Sequence, residues 1–134
     1  DPYGVFLHGL RRASLLRKAK ELRRKGEFEH ARKAYKKILD LIPTDGEAWY
    51  GLGRAEEQSG NLVGAIECYQ KAAKNANVSW LPTWAWLREG LCLKRIGRKE
   101  EADKLFKKVL QEGADLYGAF KEARNALKNG EEKP

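Results

Sequence analysis

Histidine and cysteine serve in proteins as metal ligands, nucleophiles and general bases, so their spacing is the first test for chemistry in this chain. His8 and His30 lie far apart, and neither has an acid or a nucleophile at a spacing typical of catalysis. Cys68 and Cys92 form no Cys-x-x-Cys motif and have no cluster of further ligands near them. The sequence therefore predicts no metal site, and it favours two partly buried thiols of a reduced protein.

Paired carboxylates and glycine-rich loops are two further patterns that could serve catalysis or phosphate binding. Glu56-Glu57 and Glu100-Glu101 are adjacent on predicted helices, so the two carboxylates of each pair point in different directions. Gly51-Leu52-Gly53 lacks the preceding strand and the following Lys-Ser/Thr of a phosphate-binding loop. We therefore expect a non-catalytic protein that needs no cofactor.

The charge of the chain favours anionic partners. Its 134 residues include 27 Lys and Arg against 19 Asp and Glu, which gives a formal net charge of +8. Residues 1–45 hold 12 of the basic and 6 of the acidic side chains, so much of the excess lies near the N-terminus. Such a basic segment is either a solvated helix face or a surface that attracts an acidic peptide, an RNA or an anionic membrane.

Three columns of similar residues recur along the chain at intervals of 34 and 37 residues. The columns are Gly26, Gly60 and Gly97; Ala31, Ala65 and Ala102; and Tyr35, Tyr69 and Phe106. Apolar residues around them recur at spacings of three and four, which is typical of amphipathic helices, and no alternating run predicts a strand. Each unit is therefore predicted to be two helices, with a left-handed glycine ending the first.

Capping signals support these boundaries. The segment 44–47, Thr-Asp-Gly-Glu, has the pattern of a capping box, and Asn61 and Asp115 can each cap a following helix. The helix that follows Asp115 is expected to end at Asn129-Gly130.

The second unit carries the pattern W-x2-L-G-x2-Y, then G-x-Y-x2-A-x3-F-x2-A, most completely. Its matching residues are Trp49, Leu52, Gly53, Gly60, Leu62, Ala65, Tyr69 and Ala72. In this respect the chain resembles the tetratricopeptide repeat (TPR) family. The resemblance implies an all-α, right-handed superhelical solenoid of helix-turn-helix units. It places three repeats at about 12–45, 46–79 and 83–116 and a capping helix at 115–129, between an N-terminal extension (1–11) and a frayed tail (130–134).

The resemblance also implies that the first helix of each repeat lines a concave groove where a partner binds. Helical geometry assigns to this groove the residues that face away from the packed stripe of each first helix. The predicted partner-binding residues are Leu16, Lys20, Arg23, Arg24, Tyr50, Arg54, Trp80, Trp84, Leu87, Arg88, Leu91, Lys94, Arg95 and Lys121. We expect this groove to be net positive and to carry an apolar strip.

The insertion of three residues between the second and third repeats falls within residues 77–82. Ser79 is a good N-cap and Pro82 suits a first helical turn, so the insertion is expected to lengthen the first helix of the third repeat; a longer loop is the alternative. A lengthened helix would place four apolar residues on one stripe. They are Trp80, Trp84, Leu87 and Leu91. Such a stripe binds a partner, or its tryptophans pack against the preceding repeat or the capping helix.

These features favour a cytoplasmic protein-interaction module, an adaptor, scaffold or cofactor subunit that binds an acidic-hydrophobic peptide or helix of another protein. Single-stranded RNA in the same groove is one alternative, since bases stack on aromatic rings. Self-association as an assembly scaffold is another. No stretch approaches the length of a membrane-spanning helix. The apolar segment 5–10 either extends the first helix, folds into the groove or contacts a neighbouring molecule, so a homo-oligomer stays open.

One branch of the TPR family, the chaperone-tail binders, holds the carboxylate of an EEVD-type C-terminus between two lysines, two asparagines and an arginine. The matching positions in this chain are Leu16, Lys20, Gly51, Trp84 and Arg88. Only Arg88 has the required chemistry, so we expect weak or no binding of such tails.

Overall fold

The computed structural model describes residues 2–128 and the side chains of residues 7–128. Within residues 2–128 the chain forms helices and their connections, with no strand. The helices are α1 (Pro2–Arg24), α2 (Phe28–Leu41), α3 (Gly46–Gln58), α4 (Leu62–Lys74), α5 (Leu81–Arg95), α6 (Lys99–Glu112) and α7 (Ala119–Lys128). This all-α helical repeat fold is the one that the sequence predicted. The tail expected at 130–134 lies outside the described residues.

A glycine turn joins the two helices of each repeat, as the repeating columns predicted. Gly26, Gly60 and Gly97 have φ angles of 81°, 94° and 89°, in the left-handed region that glycine adopts without steric cost. The residue after each glycine donates its backbone N–H to a carbonyl in the last turn of the preceding helix, at 2.8–2.9 Å. This bond satisfies a carbonyl that the helix end would otherwise leave without a partner.

Glycines also allow aromatic rings to reach the first helices. A Cβ atom at Gly53 would lie 2.8 Å from Cε1 of Tyr69, and one at Gly90 would lie 2.6 Å from Cε1 of Phe106. Both rings are fully buried. Any side chain at these two glycines would therefore push the paired helices of the second and third repeats apart.

The helix starts differ slightly from the sequence-based expectations. Asn61 caps α4 as predicted, since its Oδ1 accepts from the backbone N of Gly64 at 3.1 Å. The N-cap of α3 is Asp45 rather than Thr44, because the Asp45 carboxylate accepts from the N–H of Ala48 at 3.2 Å. The helix α5 begins at Leu81, with Trp80 as its N-cap residue and Pro82 in its first turn. Ser79, the predicted N-cap, lies outside the helix. The helix has 15 residues against 13 in α3, and the connection before it runs over 75–80 against 42–45 before α3, so the insertion lengthens both the helix and the loop.

The last helix begins at Ala119, four residues later than expected. Tyr117 and Gly118 have φ angles of 55° and 79°, which interrupt helical geometry after Asp115. The Asp115 carboxylate still accepts from the backbone N of Phe120, at 3.1 Å. Asp115 therefore caps α7 from outside its first turn.

At the other end of the chain, α1 runs without a break from Pro2, so the segment before the first repeat extends the first helix. Leu7 and Leu10 lie on this extension and are 56% and 54% exposed. Among the described residues, none of the helices combines the length and the apolar character that crossing a membrane requires.

Ala65 provides a test of the helix packing. It is fully buried in the core of the second and third repeats. Ala65→Leu should lower the free energy of unfolding by about 1–3 kcal/mol, because the larger side chain overpacks this core. Urea denaturation followed by circular dichroism measures the change. Val63→Leu adds one methylene at an exposed site of the same helix and should leave stability unchanged; equal midpoints for both variants would contradict the assigned packing.

Candidate functional site

The first helices of the three repeats lie side by side, since α3 contacts both α1 and α5. Between α3, α5 and the connection before α7 lies a pocket of about 430 Å³. We call it the aromatic pocket. Its lining residues are Tyr50, Arg54, Trp80, Trp84, Arg88 and Tyr117. Five of these six are among the residues that the sequence predicted to bind a partner.

The aromatic rings of the pocket are held by contacts with each other and with the backbone. Tyr50 of the second repeat meets Trp80 edge to face, with ring centroids 5.1 Å apart. The indole N–H of Trp84 donates to the carbonyl oxygen of Leu116 at 3.0 Å. Both tryptophans therefore pack against neighbouring elements and, being only half-buried, also line the pocket. These contacts confirm the packing alternative for Trp80, which lies against the preceding repeat, whereas binding of a partner by the two tryptophans stays a prediction.

Tyr117 is the pocket residue that sequence reasoning missed. Its side chain is 81% exposed, and its backbone has a positive φ of 55°, which is uncommon outside glycine. The pattern of helical periodicity gave no indication of this residue because it lies in the connection between α6 and α7. An exposed aromatic side chain on such a backbone, beside a pocket, is a feature typical of binding sites.

Three arginines, one from each first helix, stand out in the groove. The Nε atoms of Arg23, Arg54 and Arg88 are buried without a hydrogen-bond partner in the described part of the chain. A buried N–H that lacks a partner costs about 1–3 kcal/mol, so three of them in one groove call for an explanation.

The arginine at the third repeat is partly neutralised. Nη1 of Arg88 lies 3.6 Å from Oε2 of Glu57, and the other oxygen of Glu57 accepts from the Tyr69 hydroxyl at 2.6 Å. Burial alone would lower the pKa of Arg88, but the negative charge of Glu57 and the neighbouring tyrosines outweigh it and raise the pKa. Arg88 is therefore charged throughout the physiological range.

Arg23 and Arg54 have no such partner. Nη1 of Arg23 donates to the neutral side chain of Gln58 at 3.2 Å. No carboxylate within the described part of the chain lies within 4.0 Å of either arginine. These two guanidinium groups consequently carry positive charge that no carboxylate of residues 7–128 pairs with.

The remaining cations of α1 differ in their pairing. Arg12 binds both Asp45 and Glu47, and the hydrogen bond to Asp45 above all raises its pKa. Lys20 lies 4.0 Å from the same Glu47. Leu16, Lys20 and Arg24 line another, smaller hollow of about 320 Å³, together with Arg12, Ala13 and Arg17. Leu16, Lys20 and Arg24, three of the four predicted sites on α1, thus belong to a basic surface separate from the aromatic pocket.

Leu87 and Lys94 were predicted to line the groove, but neither of them faces it. Leu87 is fully buried in the core cluster that includes α7, and Nζ of Lys94 donates to the carbonyl oxygen of Ala126 at 2.7 Å. Both residues face α7, which packs against this side of α5. Leu91 is half-buried against the same core, while Arg95 and Lys121 are exposed.

The residues singled out for possible chemistry are not assembled into a site. His8 and His30 are exposed, and no cluster of three or more metal-ligating side chains occurs among the residues that the structure describes. Cys68 and Cys92 are buried free thiols, and burial above all raises the pKa of each to about 12. Neither thiol therefore ionises near neutral pH.

The reactivity of these cysteines is directly testable. In mildly alkaline buffer both thiols of the folded protein should react with a thiol-specific disulfide reagent at least about tenfold more slowly than in denaturant, because only the thiolate reacts. Absorbance of the released reagent gives the two rates. Reaction at the denatured rate by a chain that keeps its helical circular dichroism would contradict the burial described above.

Comparison with known sequences gives two matches to one kind of repeat. Family models described as tetratricopeptide repeat match residues 16–79 and 84–112, which together are more than half of the chain. A curated relative, the protein CTR9 homolog of Arabidopsis thaliana, is 30% identical over 96 residues, or 72% of this chain. The chain spans only 9% of the length of that relative.

Solved structures share the fold. The first TPR of Spaghetti (RPAP3), bound to the HSP90 peptide SRMEEVD, superposes with a TM-score of 0.75 and 21% identity, over 91% of this chain and 94% of its own. The Yersinia enterocolitica type III secretion chaperone SycD, in complex with a peptide of the translocator YopD, gives a TM-score of 0.76 and 18% identity, over 87% and 89%. At such identities the likeness establishes the fold alone.

Proposed function

Because this chain belongs to the tetratricopeptide repeat family, we propose that it is a non-catalytic protein-interaction module that binds a segment of another protein in the groove of its first helices. In two structures of the same fold, a peptide of another protein is bound. The observation that carries the proposal for this chain is the aromatic pocket, where four aromatic side chains meet two arginines.

The chemistry of the pocket defines the ligand. Half-buried rings such as Tyr50 and Trp84 favour a large apolar or aromatic side chain, and a desolvated anchor of this kind contributes about 2 kcal/mol or more. Arg54 and Arg88 at the pocket wall disfavour a cationic side chain. The fitting partner is thus an acidic-hydrophobic peptide or helix with its apolar anchor in the pocket. Its acidic residues would lie toward α1, where Arg23 and Arg24 add rate and salt dependence.

A peptide fits these contacts better than single-stranded RNA. Stacking of bases needs free ring faces, whereas Tyr50 and Trp80 pack against each other and the Trp84 indole is tied to Leu116. The buried and unpaired thiols are compatible with a reducing, cytoplasmic location.

Selection from a random peptide library tests this proposal. The enriched peptides should combine a large apolar residue with Asp or Glu. Trp84→Ala should raise their dissociation constant by about tenfold or more, which corresponds to roughly 1.4 kcal/mol. Isothermal titration calorimetry measures the constants. Tyr117→Ala, at an exposed site, should weaken binding without affecting the fold.

Trp86→Ala is the matched control for Trp84→Ala, because Trp86 lies in the same helix but packs under Lys108, away from the pocket. Its dissociation constants should equal those of the parent once the folded fraction is known from circular dichroism. Two results together would replace the peptide proposal with the nucleic-acid one. A random single-stranded RNA would bind tightly with a steep salt dependence, and neither Trp84→Ala nor Tyr117→Ala would change the affinity of any peptide.

The groove does not offer the arrangement that holds an EEVD-type tail. A Cβ atom at Gly51 would lie 2.7 Å from the Tyr35 hydroxyl oxygen, so no asparagine fits there. Trp84 occupies a lysine position of that arrangement, and Arg88 already faces Glu57. The likeness of fold to the RPAP3 domain is therefore not expected to extend to its ligand.

The peptide SRMEEVD checks this point. We expect its dissociation constant to be weaker than about 100 μM by calorimetry, since rim cations alone supply little affinity. Arg88→Ala should leave that weak binding unchanged. Micromolar affinity that disappears in Arg88→Ala would show that a carboxylate clamp has formed from other residues.

A further inference from the structure

We propose that Arg23, Arg54 and the Tyr35 hydroxyl form an oxyanion subsite, which receives a carboxylate or phosphate group of the bound partner beside the aromatic pocket. This inference deepens the proposed function and rests on it, since the subsite would fix where the acidic residue of the partner lies relative to its apolar anchor.

Tyr35 places a polar atom beneath the groove. Its side chain comes from α2 and is only 1% exposed, yet its ring passes over Gly51 of α3. The hydroxyl oxygen would lie 2.7 Å from a Cβ atom at Gly51, so the absence of a side chain there lets the ring extend to the first helix of the next repeat. Glycine at this position therefore creates room for a hydroxyl group between α1 and α3.

The two arginines beside this hydroxyl have charges that nothing in the described part of the chain neutralises. Two other arginines of the groove do have acidic neighbours: Arg12 pairs with Asp45, and Arg88 pairs with Glu57. Arg23 donates to the neutral Gln58, and neither Arg23 nor Arg54 has a carboxylate within 4.0 Å among residues 7–128. An anion would thus gain more from Arg23 and Arg54 than from the paired arginines.

Contacts along α3 bring the three groups together. Gly51, Arg54 and Gln58 share one face of α3 at spacings of three and four. The Tyr35 hydroxyl lies at Gly51, and Nη1 of Arg23 donates to Gln58.

Burial raises the pKa of Tyr35, and the positive charges of Arg23, Arg54 and Arg24 oppose that rise. The net direction is upward, so the hydroxyl keeps its proton at neutral pH and can donate it. Two guanidinium groups and one hydroxyl then offer donors to a single oxyanion, and hydrogen bonds to charged acceptors are the stronger kind.

Arg54 also lines the aromatic pocket, so the subsite and the pocket share one wall. A partner can therefore fill both with residues that are close in its own sequence. An ammonium or guanidinium group of a partner would be repelled. The oxyanion can come from an acidic side chain or from a phosphorylated one, and both sources share the chemistry that the subsite recognises.

Small probes separate the subsite from the pocket. Inorganic phosphate and acetate are titrated at constant ionic strength into the parent protein, and heteronuclear NMR follows the Nε–Hε signals of its arginines. We expect saturable shifts at Arg23 and Arg54 with dissociation constants on the order of millimolar, and none at the exposed Arg11 and Arg17. If phosphate has a lower dissociation constant than acetate, the partner supplies a phosphorylated side chain. If the two dissociation constants are equal, the partner supplies an Asp or Glu side chain.

Variants test each donor. Tyr35→Phe keeps the ring and removes only the hydroxyl, so the fold should persist while the affinity falls about threefold or more. Arg54→Gln should reduce the affinity by about tenfold. Arg11→Gln, a matched loss of charge at an exposed site of α1, should change nothing. Unsaturable shifts, or shifts of equal size at Arg11, would overturn the subsite, as would parental affinity in both Tyr35→Phe and Arg54→Gln.

A neutral probe, N-acetyltryptophanamide, reports on the pocket alone through the indole signals of Trp80 and Trp84. If the anions bind but N-acetyltryptophanamide shifts neither indole signal, the subsite is supported and the pocket of the proposed function is not. The reverse result would overturn the subsite and leave the pocket in place.

Discussion

The structure depends on the close approach of aromatic rings to glycines of the first helices. Tyr69 and Phe106 pack against Gly53 and Gly90, which sets the distance between the paired helices of the second and third repeats. Tyr35 packs against Gly51 of the next repeat and sets the distance between repeats. Without these contacts α1, α3 and α5 would not stand side by side, and the groove that they line would not exist.

The arginines of the groove fall into two groups, those that are paired with a carboxylate and those that are not. Arg12 and Arg88 are paired with carboxylates of the protein, so they contribute to its architecture and offer little to a ligand. Arg23 and Arg54 are not paired with a carboxylate within the described residues, and Arg54 lines the aromatic pocket. The net positive charge of the chain is therefore less informative about binding than these two arginines, whose Nε atoms are buried without a hydrogen-bond partner in the described part of the chain.

Local sequence rules were sufficient for most of the fold, because glycine turns, an Asn cap and helical spacing act over a few residues. They also found five pocket residues, since side chains three and four apart share a helix face. They were wrong for Leu87 and Lys94, because periodicity cannot show that α7 covers one side of α5. Tyr117 was missed because its position depends on a left-handed backbone in a connection, which no helical pattern encodes.

The four tryptophans allow the most direct test of the claim that partners bind in the aromatic pocket. Trp80 and Trp84 line it, whereas Trp49 and Trp86 lie under Lys71 and Lys108 at other sites. The indole N–H signals of all four can be followed by NMR while a library-selected peptide is added. We predict large, saturable shifts for Trp80 and Trp84 and small ones for Trp49 and Trp86. Saturable shifts confined to Trp49 or Trp86 would contradict this account.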